Sequence, residues 1–200
     1  MTGIDFWFSF GSTYTFLTAS RLRKVIKKNN LNINFKPFSV RDVMKSMDNI
    51  PFPASKKSKV DHMWRDIQRR SKLYGIKVPD VPVPYPIKEL DLANRVAMVG
   101  ADEGWCLDYL EISYKLWFLE WKEAGSEENL NLSFRELGMD LEPILTKANS
   151  ESIINNYQLQ TQNAIKSGIF GSPSFIVSDE IFWGDDRLED AINWFKSNRS

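Results

Sequence analysis

The most constraining stretch of this chain runs from Gly168 to Phe195 and reads GIFGSPSFIVSDEIFWGDDRLEDAINWF. It holds two short apolar runs, Ser174-Phe175-Ile176-Val177 and Ile181-Phe182-Trp183, on either side of a Ser178-Asp179 turn. Gly171-Ser172-Pro173 stands directly before the first run. Proline has no backbone N–H and a fixed φ, so it belongs at the first residue of a strand or in a tight turn. X-Pro is also the bond for which cis costs least, roughly 0.5–1 kcal/mol. A cis Ser172-Pro173 bond would leave the N–H and C=O of Ser172 facing outward, free to pair with an extended ligand.

The second run turns at Gly184 into Asp185-Asp186-Arg187. Asp186 followed three residues later by Glu189 is a capping-box pattern. Leu188, Ala191, Ile192 and Phe195 then fall at i, i+3, i+4 and i+7 on one helical face. Strand, tight turn, strand, acidic cap and amphipathic helix together make the C-terminal half of a thioredoxin fold. Asp185 and Asp186 have a plain reading as helix caps. Two carboxylates beside a glycine are also a clamp for a ligand ammonium group.

The N-terminus supplies the other half. Ile4, Phe6 and Phe8 alternate with Asp5, Trp7 and Ser9, which predicts a strand. Phe10-Gly11-Ser12-Thr13-Tyr14 follows, and then Phe16, Leu17, Leu22, Val25 and Ile26 at helical spacing. Ser12 thus falls where a strand ends and a helix begins. As an N-cap its hydroxyl would satisfy an orphan N–H, a contribution of about 1 kcal/mol. The same position favours an anion, because exposed N–H groups and the positive helix end meet there. A thiolate is such an anion. Asn32 to Pro37, with Ile33 and Phe35 inward, predicts a second strand and completes a βαβ unit.

Between these halves the pattern is helical. Asp61–Tyr74, Leu90–Gly104, Leu107–Trp121, Phe134–Leu137, Leu141–Lys147 and Ser152–Ser167 are the candidates, and Leu107–Trp121 is apolar almost all round, as a buried helix would be. The expected architecture is α/β, a thioredoxin-like (βαβ…ββα) fold with a large all-helical insertion. Residues 1–42 plus 168–200 form the thioredoxin-like domain and 43–167 the insertion. The 26 basic residues balance the 26 acidic ones. Without a long basic tract, nucleic acid is not an expected partner. No apolar stretch approaches the roughly 18 residues of a membrane span, and no signal peptide is recognised, so a cytoplasmic location is expected. The single cysteine, Cys106, excludes an intrachain disulfide and reads as a small buried hydrophobe. The single histidine, His62, reads as a polar residue on a charged helix, and one histidine is too little for zinc.

IDFWFSFGSTYTFL at the start, DIQRRSKLYG at 66–75, and GIFGSPSF with FWGDDRLE at the end resemble the 2-hydroxychromene-2-carboxylate isomerases and their relatives, the kappa-class glutathione transferases. The resemblance extends over essentially the whole chain and implies a relation to the periplasmic disulfide oxidoreductases, which share the fold. Those carry C-x-x-C where this chain has Ser12-Thr13-Tyr14-Thr15, so dithiol redox chemistry is excluded here.

The resemblance implies glutathione as cofactor. The family's Ser-Pro-Tyr or Ser-Pro-Phe motif falls on Ser12-Thr13-Tyr14, with Thr13 in place of proline, and makes Ser12 the catalytic serine. Its implied role is to donate a hydrogen bond to the glutathione sulfur and, with the helix end, to lower the thiol pKa. Ser172 would pair its backbone with the cysteinyl part of glutathione. Trp183, Gly184, Asp185 and Asp186 match the segment that holds the γ-glutamyl end, and Asn49 with Pro53 matches a loop that helps enclose the tripeptide. The implied reaction is reversible thiolate addition to a conjugated carbon of an aromatic 2-oxo or hydroxy acid, bond rotation, and elimination. Trp7, Phe10, Tyr14 and Trp183 are candidate aromatic walls, and Arg41, Lys59 or Arg65 the candidate cation for a substrate carboxylate. A transferase that conjugates electrophiles, and a non-catalytic glutathione-binding protein, are the alternatives. A homodimer would fit the family.

Overall fold

The computed structural model describes residues 3–49 and 54–198. The sheet has the order β2-β1-β3-β4, built from β1 (Ile4–Phe8), β2 (Ile33–Pro37), β3 (Ser174–Val177) and β4 (Glu180–Trp183). β1 pairs parallel with β2 and antiparallel with β3, and β3 pairs antiparallel with β4. The parallel pair needs a crossover, which α1 (Thr15–Asn29) provides. α9 (Leu188–Ser197) closes the chain against the sheet. This is the expected thioredoxin-like arrangement, with a helical segment between β2 and β3.

That segment comprises α2 (Val40–Lys45), α3 (Lys57–Tyr74), α4 (Leu90–Glu103), α5 (Cys106–Glu120), α6 (Glu127–Leu137), α7 (Leu141–Ala148) and α8 (Glu151–Lys166). α2 lies in a stretch for which the sequence pattern predicts no helix. α6 begins well before the predicted Phe134, because Ser126 caps it by accepting from Asn129 N–H at 3.2 Å.

Both faces of β1 are covered. Ile4, Phe6 and Phe8 are fully buried on one face, and Trp7 on the other packs with Phe38, Val40, Val43, Ala164 and Ile169. Phe6 stacks on Phe175 of β3 at 5.2 Å, and Phe16 of α1 stacks on Phe118 of α5 at 4.2 Å and 3°. Tyr109, Leu110, Tyr114, Trp117 and Phe118 bury α5 on most of its circumference. Burying one such side chain stabilises the fold by about 1.5–3 kcal/mol. Because these rings join one core with those of β1 and α1, the helical segment is welded to the sheet.

Two helix starts differ from expectation. α1 begins at Thr15, and its cap position is Tyr14, which makes no side-chain cap. Residues 9–12 first close a tight turn, with Ser12 N–H donating to Ser9 O at 3.0 Å, so Ser12 lies outside the helix. The capping box of Asp186 and Glu189 does not form either. A 3₁₀ turn over Asp185–Arg187 precedes α9, the cap position is Arg187, and the Glu189 carboxylate turns instead to Arg21 of α1.

Candidate functional site

The sheet register assembles the site. β1 runs antiparallel to β3 with Trp7 opposite Ser174, so the chain just before β3 lies beside the chain just after β1. Ser9 N–H donates to Ser172 Oγ at 2.9 Å, and the Ser172-Pro173 peptide is cis. One step past the Ser174–Trp183 pair of the β3–β4 ladder, Gly184 N–H donates to Pro173 O at 2.9 Å. Three chain segments therefore meet at one end of the sheet: the Ser12 turn, the Ser172-Pro173 loop and the Gly184–Asp186 turn. They line a cavity of about 1350 Å³, with α2, α3 and the 85–88 loop forming the rest of its wall.

Ser12, Asn49, Ser172, Trp183, Gly184, Asp185 and Asp186 all line this cavity. Pro53 lies outside the described residues. Their states differ from what the sequence suggests. The Ser12 hydroxyl donates to Ser172 O at 2.5 Å, so the Ser172 carbonyl is not a free acceptor for an extended ligand. The Ser172 hydroxyl sits against Ser9 N–H and, at 3.0 Å, the Thr15 hydroxyl.

The two aspartates part ways. Asp185 is buried and holds the Tyr74 hydroxyl at 2.8 Å and Arg70 Nε at 3.1 Å, while its backbone carbonyl accepts from Arg21 at 2.5 Å. Burial pushes its carboxyl pKa up, against the pull of Tyr74 and Arg70. Arg21 and Arg70 both lie over the Tyr74 ring, 4.2 and 5.2 Å from its centre. Burial and the adjacent Asp185 carboxylate push the Tyr74 phenol up to about 12. Asp185 is thus a structural anion. Asp186 is exposed toward the cavity, with Arg187 3.5 Å away, and is the carboxylate of the pair open to a ligand. A positive φ of 116° at Gly184 allows this turn, and a Cβ there would meet Asp186 Oδ1 at 2.5 Å.

The walls also need correction. Phe10 and Trp7 are core residues, at 0 and 6% exposure, and do not reach the cavity. Tyr14 and Trp183 do, joined by Tyr85 and Phe170. Trp183 and Phe170 meet edge to face at 4.8 Å. Tyr14 donates to Asp66 at 3.2 Å. Arg65 points to solvent outside the cavity, whereas Arg41 and Lys59 line it together with Arg70 and Lys88. His62 is exposed and Cys106 is buried, where burial pushes its thiol pKa up. Among the described residues no cluster of His, Cys, Asp and Glu is suited to a metal ion. Nor, among those residues, is any helix long and apolar enough to cross a membrane.

Two supporting residues escape the sequence reading. Asn94 of α4 is fully buried: its side-chain oxygen accepts from Phe10 N–H at 3.0 Å, and its amide donates to Ser9 Oγ, Phe38 O and Tyr157. The Tyr114 hydroxyl of α5 donates to Ser9 O at 3.1 Å and Ser12 O at 2.9 Å. Together they fix the backbone that carries Ser12. A signal for Asn94 exists in the sequence, since it interrupts the apolar face of Leu90, Ala93 and Ala97.

The chain is 28% identical over 186 residues to a 2-hydroxychromene-2-carboxylate isomerase of Pseudomonas putida, which covers 92% of this chain and 90% of the relative. A second protein of that name, from Pseudomonas sp. strain C18, is 25% identical over 190 residues, 92% of this chain and 86% of the relative. The solved structure of a 2-hydroxychromene-2-carboxylate isomerase superposes with a TM-score of 0.84 at 25% identity, over 97% of this chain and 94% of the other. A putative protein disulfide isomerase from Nitrosomonas europaea superposes at 0.70 with 12% identity over 98% of each chain, a likeness of fold alone. The model of the DSBA-like thioredoxin domain matches residues 3–193, nearly the whole length, and the chain belongs to that family.

Proposed function

We propose that this protein is a glutathione-dependent isomerase acting on 2-hydroxychromene-2-carboxylate or a similar aromatic 2-oxo or hydroxy acid. The observation that carries the reading is the convergence of Ser12, Ser172 and the Gly184–Asp186 turn on one cavity, in a chain that resembles isomerases of that name over about nine-tenths of its length. The residues present fit the tripeptide. The cavity exceeds the roughly 300–1,000 Å³ typical of small-ligand sites, so it has room for a tripeptide and an aromatic substrate together. Asp186 offers an exposed carboxylate for the γ-glutamyl ammonium, and Asn49, just after α2, lines the same cavity.

When bound, glutathione would supply a thiolate able to add reversibly to a conjugated carbon and so permit rotation about a former double bond. The chain's part is to orient and stabilise. To donate to a sulfur anion, the Ser12 hydroxyl must leave the Ser172 carbonyl. A neutral hydrogen bond contributes about 0.5–1.5 kcal/mol net and one to a charged group about 1.5–3 kcal/mol, so the exchange favours the anion. The Ser172 carbonyl released by that move becomes available to a backbone N–H of the ligand. Asn94 and Tyr114 keep the Ser12 backbone in place while its side chain turns.

Calorimetry of glutathione binding tests the reading. Wild type is expected to bind in the micromolar-to-millimolar range, Asp186→Ala to bind more weakly by roughly tenfold, in line with a lost charged pair. Asp185→Asn is expected to lower stability more than affinity. Absence of wild-type binding at about 10 mM, on the affinity scale of ordinary cofactors, removes the glutathione reading.

A further inference from the structure

Ser12 is supported from two sides. On its N-terminal side Asn94 holds Phe10 N–H, and the Tyr114 hydroxyl holds the carbonyls of Ser9 and Ser12. On its C-terminal side the support comes from α3. Thr13 is 3% exposed, and its hydroxyl donates to Met63 Sδ at 3.0 Å. One residue on, the Tyr14 hydroxyl donates to Asp66. Met63 and Asp66 stand three residues apart on α3 and so share a face. They reach consecutive residues of the short segment that joins Ser12 to α1. Asp66 lines the cavity, whereas Met63 is 2% exposed and belongs to the core.

The Thr13–Met63 contact is unusual in kind. A thioether is a weak acceptor, and buried hydroxyls mostly find an oxygen. Among the described residues, Met63 Sδ is the acceptor that the Thr13 hydroxyl reaches, and 3.0 Å is close for an atom larger than oxygen. Thr13 also stands where the resembled motif has proline. A proline ring fixes φ; threonine leaves it free, and the hydroxyl tie to α3 supplies a constraint in its place. The constraint matters because the Ser12 hydroxyl now donates to Ser172 O and has to turn away from it to meet a ligand sulfur. The peptide that follows Ser12 must stay still while that side chain turns. Its other hold is the Thr13 carbonyl, which accepts from Phe16 N–H at 3.2 Å as α1 begins.

We propose that Thr13 is a positioning residue for Ser12: its hydroxyl, fixed on Met63 of α3, holds the peptide after Ser12 in place and so sets how well the Ser12 hydroxyl stabilises a ligand thiolate. The bearing on a thiolate rests on the glutathione reading; the tie between α3 and the Ser12 turn does not.

The test compares the full chain with Thr13→Val, Thr13→Ser, Met63→Leu and the double variant Thr13→Val/Met63→Leu. Each is read by urea unfolding, by amide exchange at Ser12 and Phe16 with Gly184 as internal control, and by the thiol pKa of bound glutathione from its ultraviolet thiolate absorbance. Met63→Leu conserves volume but strands a buried hydroxyl, so its urea midpoint should fall by about 0.5 M or more. Adding Thr13→Val removes the stranded hydroxyl and should recover most of that loss. Position is not recovered with it. In Thr13→Val and in the double variant, the Ser12 and Phe16 amides should exchange about tenfold faster than in wild type while Gly184 is unchanged. The thiol pKa should rise in both by about 0.5 unit or more. Thr13→Ser keeps the hydroxyl and should stay near wild type in all three readings. Wild-type exchange in Thr13→Val, or a loss in Met63→Leu that Thr13→Val does not recover, would overturn the proposal by reducing the contact to packing. Faster exchange with an unchanged thiol pKa overturns the effect on the thiolate. Failure of wild type to bind glutathione instead rejects the cofactor reading, and the exchange and urea results still decide the tie to α3.

Discussion

Replacing Asn94 with alanine removes one amide that serves four partners. Its oxygen accepts from Phe10 N–H at 3.0 Å, and its nitrogen lies 3.1 Å from Ser9 Oγ, 3.1 Å from Phe38 O and 2.9 Å from the Tyr157 hydroxyl. The two hydroxyls have other partners: Ser9 Oγ accepts from Gly11 N–H, and Tyr157 donates to Asp91 at 3.0 Å. Phe10 N–H and Phe38 C=O have no such freedom, because they are backbone groups in buried residues. Each buried polar group left without a partner costs about 1–3 kcal/mol, so the pair costs about 2–6 kcal/mol. A water entering the vacated polar space would bring the loss toward the lower end. We expect about 2–4 kcal/mol. With a urea dependence of about 2 kcal/mol/M, the unfolding midpoint should fall by about 1–2 M with an unchanged slope. Asn94→Asp keeps the acceptor for Phe10 but cannot donate to Phe38, and it buries a carboxylate, so it should be no better than alanine. A midpoint shift below about 0.25 M for Asn94→Ala would refute the view that this amide holds the Ser12 turn, since such a slope makes that shift about 0.5 kcal/mol.

Two further outcomes follow from groups around the same site. All six tyrosine phenols are pushed above their ordinary value of 10.0, burial being the first cause in each, and Tyr74 reaches about 12. A phenol whose pKa is higher in the folded chain keeps its proton longer there. The stability it contributes is complete below about pH 10 and is lost as pH rises from there toward 12. Absorbance near 295 nm should therefore show little tyrosinate in native protein at about pH 10.5 and full ionisation on adding urea, while the urea midpoint declines across that window. Half of the tyrosines ionising in native protein by that pH would contradict it. Gly184→Ala forces a non-glycine residue to φ 116° and brings a Cβ to 2.5 Å from Asp186 Oδ1. Strain of this kind costs about 1–3 kcal/mol, which for a chain of this length lowers Tm by about 2–12 °C. An unchanged Tm would show that the turn tolerates an ordinary residue.

The backbone plan was legible because each terminal element has a strong period. Ile4, Phe6 and Phe8 alternate, and Leu188, Ala191, Ile192 and Phe195 keep a helical face; all seven are buried. The even apolar surround of Leu107–Trp121 marks a helix inside the core, which α5 is. The misreadings are at element ends. Ser12 and the Asp186–Glu189 pair have sound local cap chemistry, yet both lose to partners more than a hundred residues away, Ser172 for Ser12 and Arg21 for Glu189. Cap energies of about 1 kcal/mol are small enough for one long-range hydrogen bond or a charged pair to override. α2 escaped because a six-residue helix gives too little of a period to detect.

The same reasoning explains why the site was legible as a set of positions and illegible as a set of states. Asp185 and Asp186 are neighbours with identical chemistry, and nothing local decides which of them faces a ligand. The decision is made by α3, where Asp66, Arg70 and Tyr74 recur at intervals of four along one face. Arg70 and Tyr74 reach Asp185 and bury it, leaving Asp186 open; Asp66 on the same face takes the hydroxyl of Tyr14, two residues from Ser12. On the other flank, Asn94 and Tyr114 arrive from α4 and α5 to hold the Ser12 backbone, and Arg41 arrives from α2 to face the cavity. The sheet thus brings three loops together, and the helices between β2 and β3 determine which of their groups stay available. A change on α3 or α4, far in sequence from Ser12, should therefore alter the chemistry of this cavity as readily as a change in the loops that line it.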